Sequence, residues 1–113
     1  MTAPLTIRTG PAGSRIAGVG SYLPRRVVTN AEMCTMIDSS DEWIQQRTGI
    51  VERRWAGDDE PLSFMVAEAS RRAIEHSKVD TDDIDAVIVA SVTHLKATPA
   101  LAPILAAELG LKD

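Results

Sequence analysis

The sequence predicts an α/β fold of stacked layers, and three observations carry that expectation. The chain has 113 residues, of which 44% are hydrophobic and 25% charged, enough for one core and no more. Ala86 to Val92 is an unbroken Val/Ile/Ala run without polar alternation, the pattern of a strand covered on both faces. Leu62, Met65, Val66, Ala69 and Ala73 fall on one face of a helix, and stretches of strand and helix character alternate along the chain. That alternation implies at least one right-handed crossover.

Met1 to Ser14 holds two Pro, two Gly and little apolar periodicity, so residues 1–14 are expected to form a flexible arm and residues 15–113 the folded part. Arg15 to Tyr22 is a short apolar strand, ended by Pro24. Its glycines, Gly18 and Gly20, share one face, where another backbone can approach closely. Asn30 is placed as the N-cap of a short helix through Ile37. Ser39, with Glu42 three residues on, has capping-box spacing for a second helix that Gly49 ends. Ile50 to Trp55 alternates as a small strand. A polar loop then leads into the long helix that carries Leu62 to Ala73. Asp80 to Asp85 is a turn with Thr81 as cap, and after the Ala86–Val92 strand Pro103 to Leu109 forms a last helix stopped by Gly110.

Charge and composition exclude several functions. Twelve Lys plus Arg against sixteen Asp plus Glu give a net charge of −4, and the basic residues occur as scattered pairs rather than a stripe for nucleic acid. A single cysteine forms no internal disulfide, and no secretory signal or run of roughly 18 apolar residues is visible, which points to the cytoplasm and away from a membrane span.

Few residues carry chemistry. Gly18-Val19-Gly20 is followed by Pro24 instead of a helix, so close packing accounts for it better than a dinucleotide loop. Asp80, Asp82, Asp83 and Asp85 depart from a calcium loop at Asp85 and Ser91, and no metal site is expected. Cys34, inside an apolar helix without a nearby His, reads as an inert thiol. His76 suits a helix C-terminus, and His94 follows the buried strand at a loop. On the second helix Trp43 and Arg47 are four apart and share a face, with Ile44 and Thr48 on another side. That pair is either a cationic aromatic platform for an adenine or a phosphate, or a core Trp covered by an Arg. Trp55 has no such neighbour and is expected in the core.

Taken together, Ile16-Ala17-Gly18-Val19-Gly20-Ser21-Tyr22-Leu23-Pro24, Arg26-Val27-Val28-Thr29-Asn30 and Ile37-Asp38-Ser39-Ser40-Asp41-Glu42-Trp43-Ile44-Gln45-Gln46-Arg47-Thr48-Gly49-Ile50 resemble the opening of the β-ketoacyl-acyl-carrier-protein synthase III family. The likeness continues through Glu52-Arg53-Arg54, the run to Thr93, Thr98-Pro99 and Glu108-Leu109-Gly110. The spacing of His94 to Thr98-Pro99 is most similar to the actinobacterial branch, which includes priming synthases of aromatic polyketide pathways. The resemblance implies a thiolase-like layered fold, of which this chain is the N-terminal part of the first half only, and a full-length homodimer. It also implies an acyltransferase that loads an acyl group from acyl-CoA onto a cysteine and condenses it with malonyl-acyl-carrier-protein, with acyl-CoA as substrate and no cofactor.

The family's cysteine, histidine and asparagine fall beyond Asp113, so no catalytic residue is assigned here and the 113 residues alone are expected to be inactive. By position, the resemblance implies that Trp43 stacks on the CoA adenine with Arg47 and Ser39 beside it, and that Thr98 walls the acyl pocket across the dimer. The alternative is a stand-alone, non-catalytic CoA-binding or dimerisation module derived from that family.

Overall fold

The computed structural model describes Gly10, residues 13–96 and residues 98–112. The expected arm therefore lies largely outside the described residues; Gly10, Gly13 and Ser14 are exposed. In chain order the elements are strand β1 (Arg26–Thr29), helix α1 (Asn30–Met33), helix α2 (Asp41–Thr48), strand β2 (Glu52–Trp55), helix α3 (Leu62–Ser77), a 3-10 turn (Thr81–Asp83) and helix α4 (Leu101–Leu109). No helix among the described residues is long and apolar enough to cross a membrane.

β1 and β2 pair antiparallel, with Arg26 opposite Trp55, Val28 opposite Arg53 and Thr29 opposite Glu52. β1 was not anticipated, because Arg25-Arg26 and Thr29 surround only two valines; its inner residue Val28 is nonetheless fully buried. Trp55 is only half-buried and does have a cationic neighbour: the Arg26 guanidinium lies 5.2 Å from its ring centre. That corrects the expectation of an unaccompanied core residue, and the cause is the unforeseen cross-strand pairing.

Caps shift by one residue from the sequence reading. Thr29, not Asn30, caps α1, its hydroxyl accepting from the Glu32 N–H at 3.3 Å, and α1 ends at Met33 rather than Ile37. Ser40, not Ser39, caps α2, its hydroxyl accepting from the Trp43 N–H at 3.2 Å. The residue three beyond the true cap is thus Trp43, and no capping box forms. Gly49 closes α2 with φ +70°, the left-handed conformation glycine adopts at no steric cost. The acidic turn is capped by Asp80 rather than Thr81, its carboxylate accepting from the Asp82 N–H at 3.1 Å. Asp82 also pairs with Lys112, and no metal-ligating cluster occurs among the described residues.

The segment before β1 lies against α3 as the glycine pattern predicts, but the strand expected over Arg15 to Tyr22 does not form, because no strand among the described residues pairs with it. A Cβ on Gly20 would overlap the Ala69 carbonyl oxygen and the Ala73 nitrogen, and one on Gly18 would sit 2.7 Å from the Ser77 nitrogen. The small side chains of Ala69 and Ala73 make room for this backbone. Polar contacts follow the same seam. The Val19 N–H donates to His76 Nδ1 at 3.2 Å, and Arg72 donates to the Ser21 carbonyl at 2.7 Å. Tyr22 meets Phe64 edge-on at 5.4 Å, and its hydroxyl donates a hydrogen bond to Glu60. Glu60 is 2% exposed and also accepts from the N–H groups of Arg25 and Gly57, each at 3.1 Å. The Tyr22 hydroxyl and the Gly57 N–H hold its carboxyl below the usual carboxylate range, in agreement with a buried acid satisfied as an anion.

The largest departure concerns Ala86 to Val92. It pairs with no strand among the described residues, so neither the expected central strand nor a parallel crossover forms. Val87 and Val89 are half-buried, but Ile88 is 92% exposed and Val92 fully so. A strand is made by the hydrogen-bonding groups of a neighbour, and no described segment supplies them here. The apolar interior reduces to Val28 and Ile44 near the hairpin and Ala67, Leu101 and Leu105 where α3 and α4 pack.

Candidate functional site

The site builds from the cap of α2. With Ser40 committed to the first turn, Ser39 takes no part in the cap, and its hydroxyl oxygen is buried without a hydrogen-bond partner among the described residues. Buried hydroxyls are rarely left so. Ser39 itself helps to line an open recess of about 600 Å³, together with Ile37, Asp38, Ser40 and Trp43.

Among the described residues Trp43 is exposed. Its side chain is 56% exposed, whereas Ile44, the next residue, is 8% exposed and carries the packing of α2. The Arg47 guanidinium lies 5.8 Å from the Trp43 ring centre, one helical turn on, in the last turn of α2 where a cation also offsets the helix dipole. A flat indole face, a positive charge beside it and an unpartnered hydroxyl can together stack on a planar heterocycle, neutralise a phosphate and hydrogen-bond a ring nitrogen.

The recess therefore brings Ser39 and Trp43 together, with Arg47 against the indole. Thr98 stands apart, exposed in the loop before α4. His94 is half-buried in that loop, with Nε2 3.4 Å from the Pro99 carbonyl oxygen, and His76 is engaged with the Val19 backbone. Cys34 is half-buried at the C-terminal cap of α1 as a free thiol. Sequence reasoning missed Asn30 as an interior residue and Glu60 as a buried acid. Asn30 sits where β1 passes into α1 and Glu60 in the polar loop before α3, and neither position signals burial in the sequence.

No family model matches this chain. Individual proteins do. It is 53% identical over 104 residues to the mycobacterial β-ketoacyl-[acyl-carrier-protein] synthase III of Mycobacterium tuberculosis strain H37Rv, covering 89% of this chain and 31% of that protein. It is 54% identical over 97 residues to the β-ketoacyl-[acyl-carrier-protein] synthase III of Streptomyces lividans, covering 86% of this chain and 29% of the relative. The chain thus spans about three tenths of the length of the curated relatives it matches.

Solved structures agree. The priming β-ketosynthase of the R1128 polyketide biosynthetic pathway superposes with a TM-score of 0.82 at 53% identity, over 85% of this chain and 29% of that one. The 3-oxoacyl-[acyl-carrier-protein] synthase III of Aquifex aeolicus VF5 gives 0.83 at 38% identity, over 88% of this chain and 32% of that one. The described residues accordingly form part of a thiolase-like α/β fold. Sequence identity near one half across nine tenths of the chain, joined to the same backbone arrangement, makes this chain similar to about three tenths of the β-ketoacyl-acyl-carrier-protein synthases III it matches.

Proposed function

We propose that the chain is the N-terminal segment of a β-ketoacyl-acyl-carrier-protein synthase III and supplies the adenine-nucleotide end of its acyl-CoA site. The observation that carries this reading is the recess at α2, lined by an exposed Trp43 and by Ser39 with its unpartnered hydroxyl, with Arg47 against the indole. Stacking on Trp43, a hydrogen bond to Ser39 and the charge of Arg47 hold the nucleotide. The pantetheine arm then carries the thioester toward a nucleophile outside these residues. The complete enzyme transfers the acyl group to a cysteine and condenses it with malonyl-acyl-carrier-protein as carbon dioxide leaves, initiating a fatty acid or polyketide chain. General physics places the enolate left by decarboxylation against hydrogen-bond donors. The chemistry calls for acyl-CoA as substrate, with no cofactor and no metal; the setting is cytoplasmic and the working unit a homodimer.

The complete polypeptide should therefore condense acyl-CoA with malonyl-acyl-carrier-protein, and the 113 residues alone should show no turnover. Cys34, a half-buried free thiol at the end of α1, should take no acyl label by mass spectrometry. A second reading, a non-catalytic CoA-binding module, draws on the fact that every lining residue of the recess falls between Ile37 and Trp43. CoA binding by a complete polypeptide that never turns over would favour it.

Thr98 belongs to the same proposal as a wall of the partner's acyl pocket. A threonine there leaves space that a phenylalanine would fill. Each further primer methylene buried in that space contributes about 0.8 kcal/mol, so the complete enzyme should accept primers longer or more branched than acetyl. Thr98→Phe should return the preference to acetyl-CoA in competition with hexanoyl-CoA. A uniform loss for both primers would instead make Thr98 part of the turn before Pro99.

A further inference from the structure

We propose that Asn30 is a positioning residue for the Trp43 recess, acting through Asp41 at the first turn of α2. The inference rests on the reading of that recess as an adenine-nucleotide site. Asn30 is 2% exposed, and its side-chain amide is used on both sides. Its Nδ2 donates to Asp41 Oδ1 at 2.6 Å and to the Ile50 carbonyl at 2.8 Å, while its Oδ1 accepts from the Arg53 guanidinium. One side chain at the start of α1 thus grips the N-terminal turn of α2, the connection that follows α2, and β2.

The need for such a grip follows from how little else holds α2. Of its eight residues only Ile44 is buried, so little apolar packing fixes the orientation of this short helix. Asp41 directly follows the cap Ser40 and lies two residues from both Ser39 and Trp43. Displacement of Asp41 therefore moves the hydroxyl and the indole together. Gln45 Nε2 donates to the same Asp41 oxygen at 2.8 Å, which keeps the carboxylate facing Asn30. Hydrogen bonds from Gln45 and Asn30 lower the Asp41 pKa, so the link is charge-assisted near neutral pH. Asn30 itself is not among the residues that line the recess. Its effect on a ligand is exerted through where it sets α2.

The test compares acyl-CoA with the matching acyl-pantetheine, which carries the same thioester without the adenine nucleotide, in the complete polypeptide. Asn30→Ala should raise KM for acyl-CoA roughly tenfold while leaving kcat, and both constants for acyl-pantetheine, close to wild type. Asp41→Ala breaks the same link from an exposed residue, and it should reproduce the selective loss. Equal losses on the two substrates would make Asn30 a residue of the fold alone and overturn the proposal, as would no change on either. Trp43→Ala run in parallel separates this from the underlying reading. If Trp43→Ala discriminates between the substrates and the Asn30 and Asp41 variants do not, only the positioning role fails; if Trp43→Ala does not discriminate, the nucleotide site itself is wrong.

Discussion

Trp43→Ala is expected to weaken CoA binding by roughly tenfold to a hundredfold, the equivalent of about 1–3 kcal/mol for a base stacked on an aromatic ring. The expectation follows from exposure. A Trp that is 56% exposed contributes little to the interior, so its removal should leave the fold intact, while the ligand loses the flat face it rests on. Arg47 sharpens the effect, because its guanidinium lies against the same ring and loses its own support when the indole goes. Acyl-carrier-protein substrates bring no adenine and should be affected far less. Titration calorimetry with CoA, set beside kinetics on acyl-carrier-protein substrates, checks both halves. Equal losses on the two would show that Trp43 acts through the fold.

Gly20→Ala is expected to destabilise the folded protein by about 3 kcal/mol, at the upper end of ordinary overpacking. The added methyl would overlap backbone atoms of Ala69 and Ala73, and backbone inside a helix cannot swing aside as a side-chain tip can. Relief requires lifting the whole segment off α3. That movement also strains the Val19 to His76 and Ser21 to Arg72 hydrogen bonds and draws Tyr22 away from Glu60. Gly13→Ala is the control, since a Cβ there meets nothing within 4 Å. Urea unfolding of the two variants of the complete polypeptide should separate them by most of that difference. Equal midpoints would mean that the segment does not pack on α3 as described.

What was legible in the sequence and what was not follow one physical division. Local signals were read in part, since the caps of α1, α2 and the acidic turn each fell one residue from the reading. The helical spacing of Leu62 to Ala73, the left-handed Gly49 and Gly110, and the close approach of Gly18 and Gly20 depend on residues within a turn or two, or on the absence of a side chain. Features that depend on a partner were read poorly. The run from Ala86 to Val92 has the composition of a central strand, yet composition cannot make the neighbour that pairs with it. Arg26 gave no hint of Trp55, because their contact exists only once β1 and β2 are in register. The site divides in the same way. Helical spacing placed Trp43 beside Arg47, and the resemblance added Ser39. Neither revealed that Ser40 rather than Ser39 takes the cap, nor that Asn30 is turned inward to hold Asp41.

The central claim is that the recess at α2 receives the adenine nucleotide of CoA, and the most direct measurement is the crystal structure of the complete polypeptide with CoA bound. The account predicts the adenine ring stacked on the Trp43 indole, with the Ser39 hydroxyl in hydrogen-bond contact with it and Arg47 beside the phosphates. CoA bound with its adenine elsewhere, leaving the Trp43 face bare and the Ser39 hydroxyl still without a partner, would contradict it.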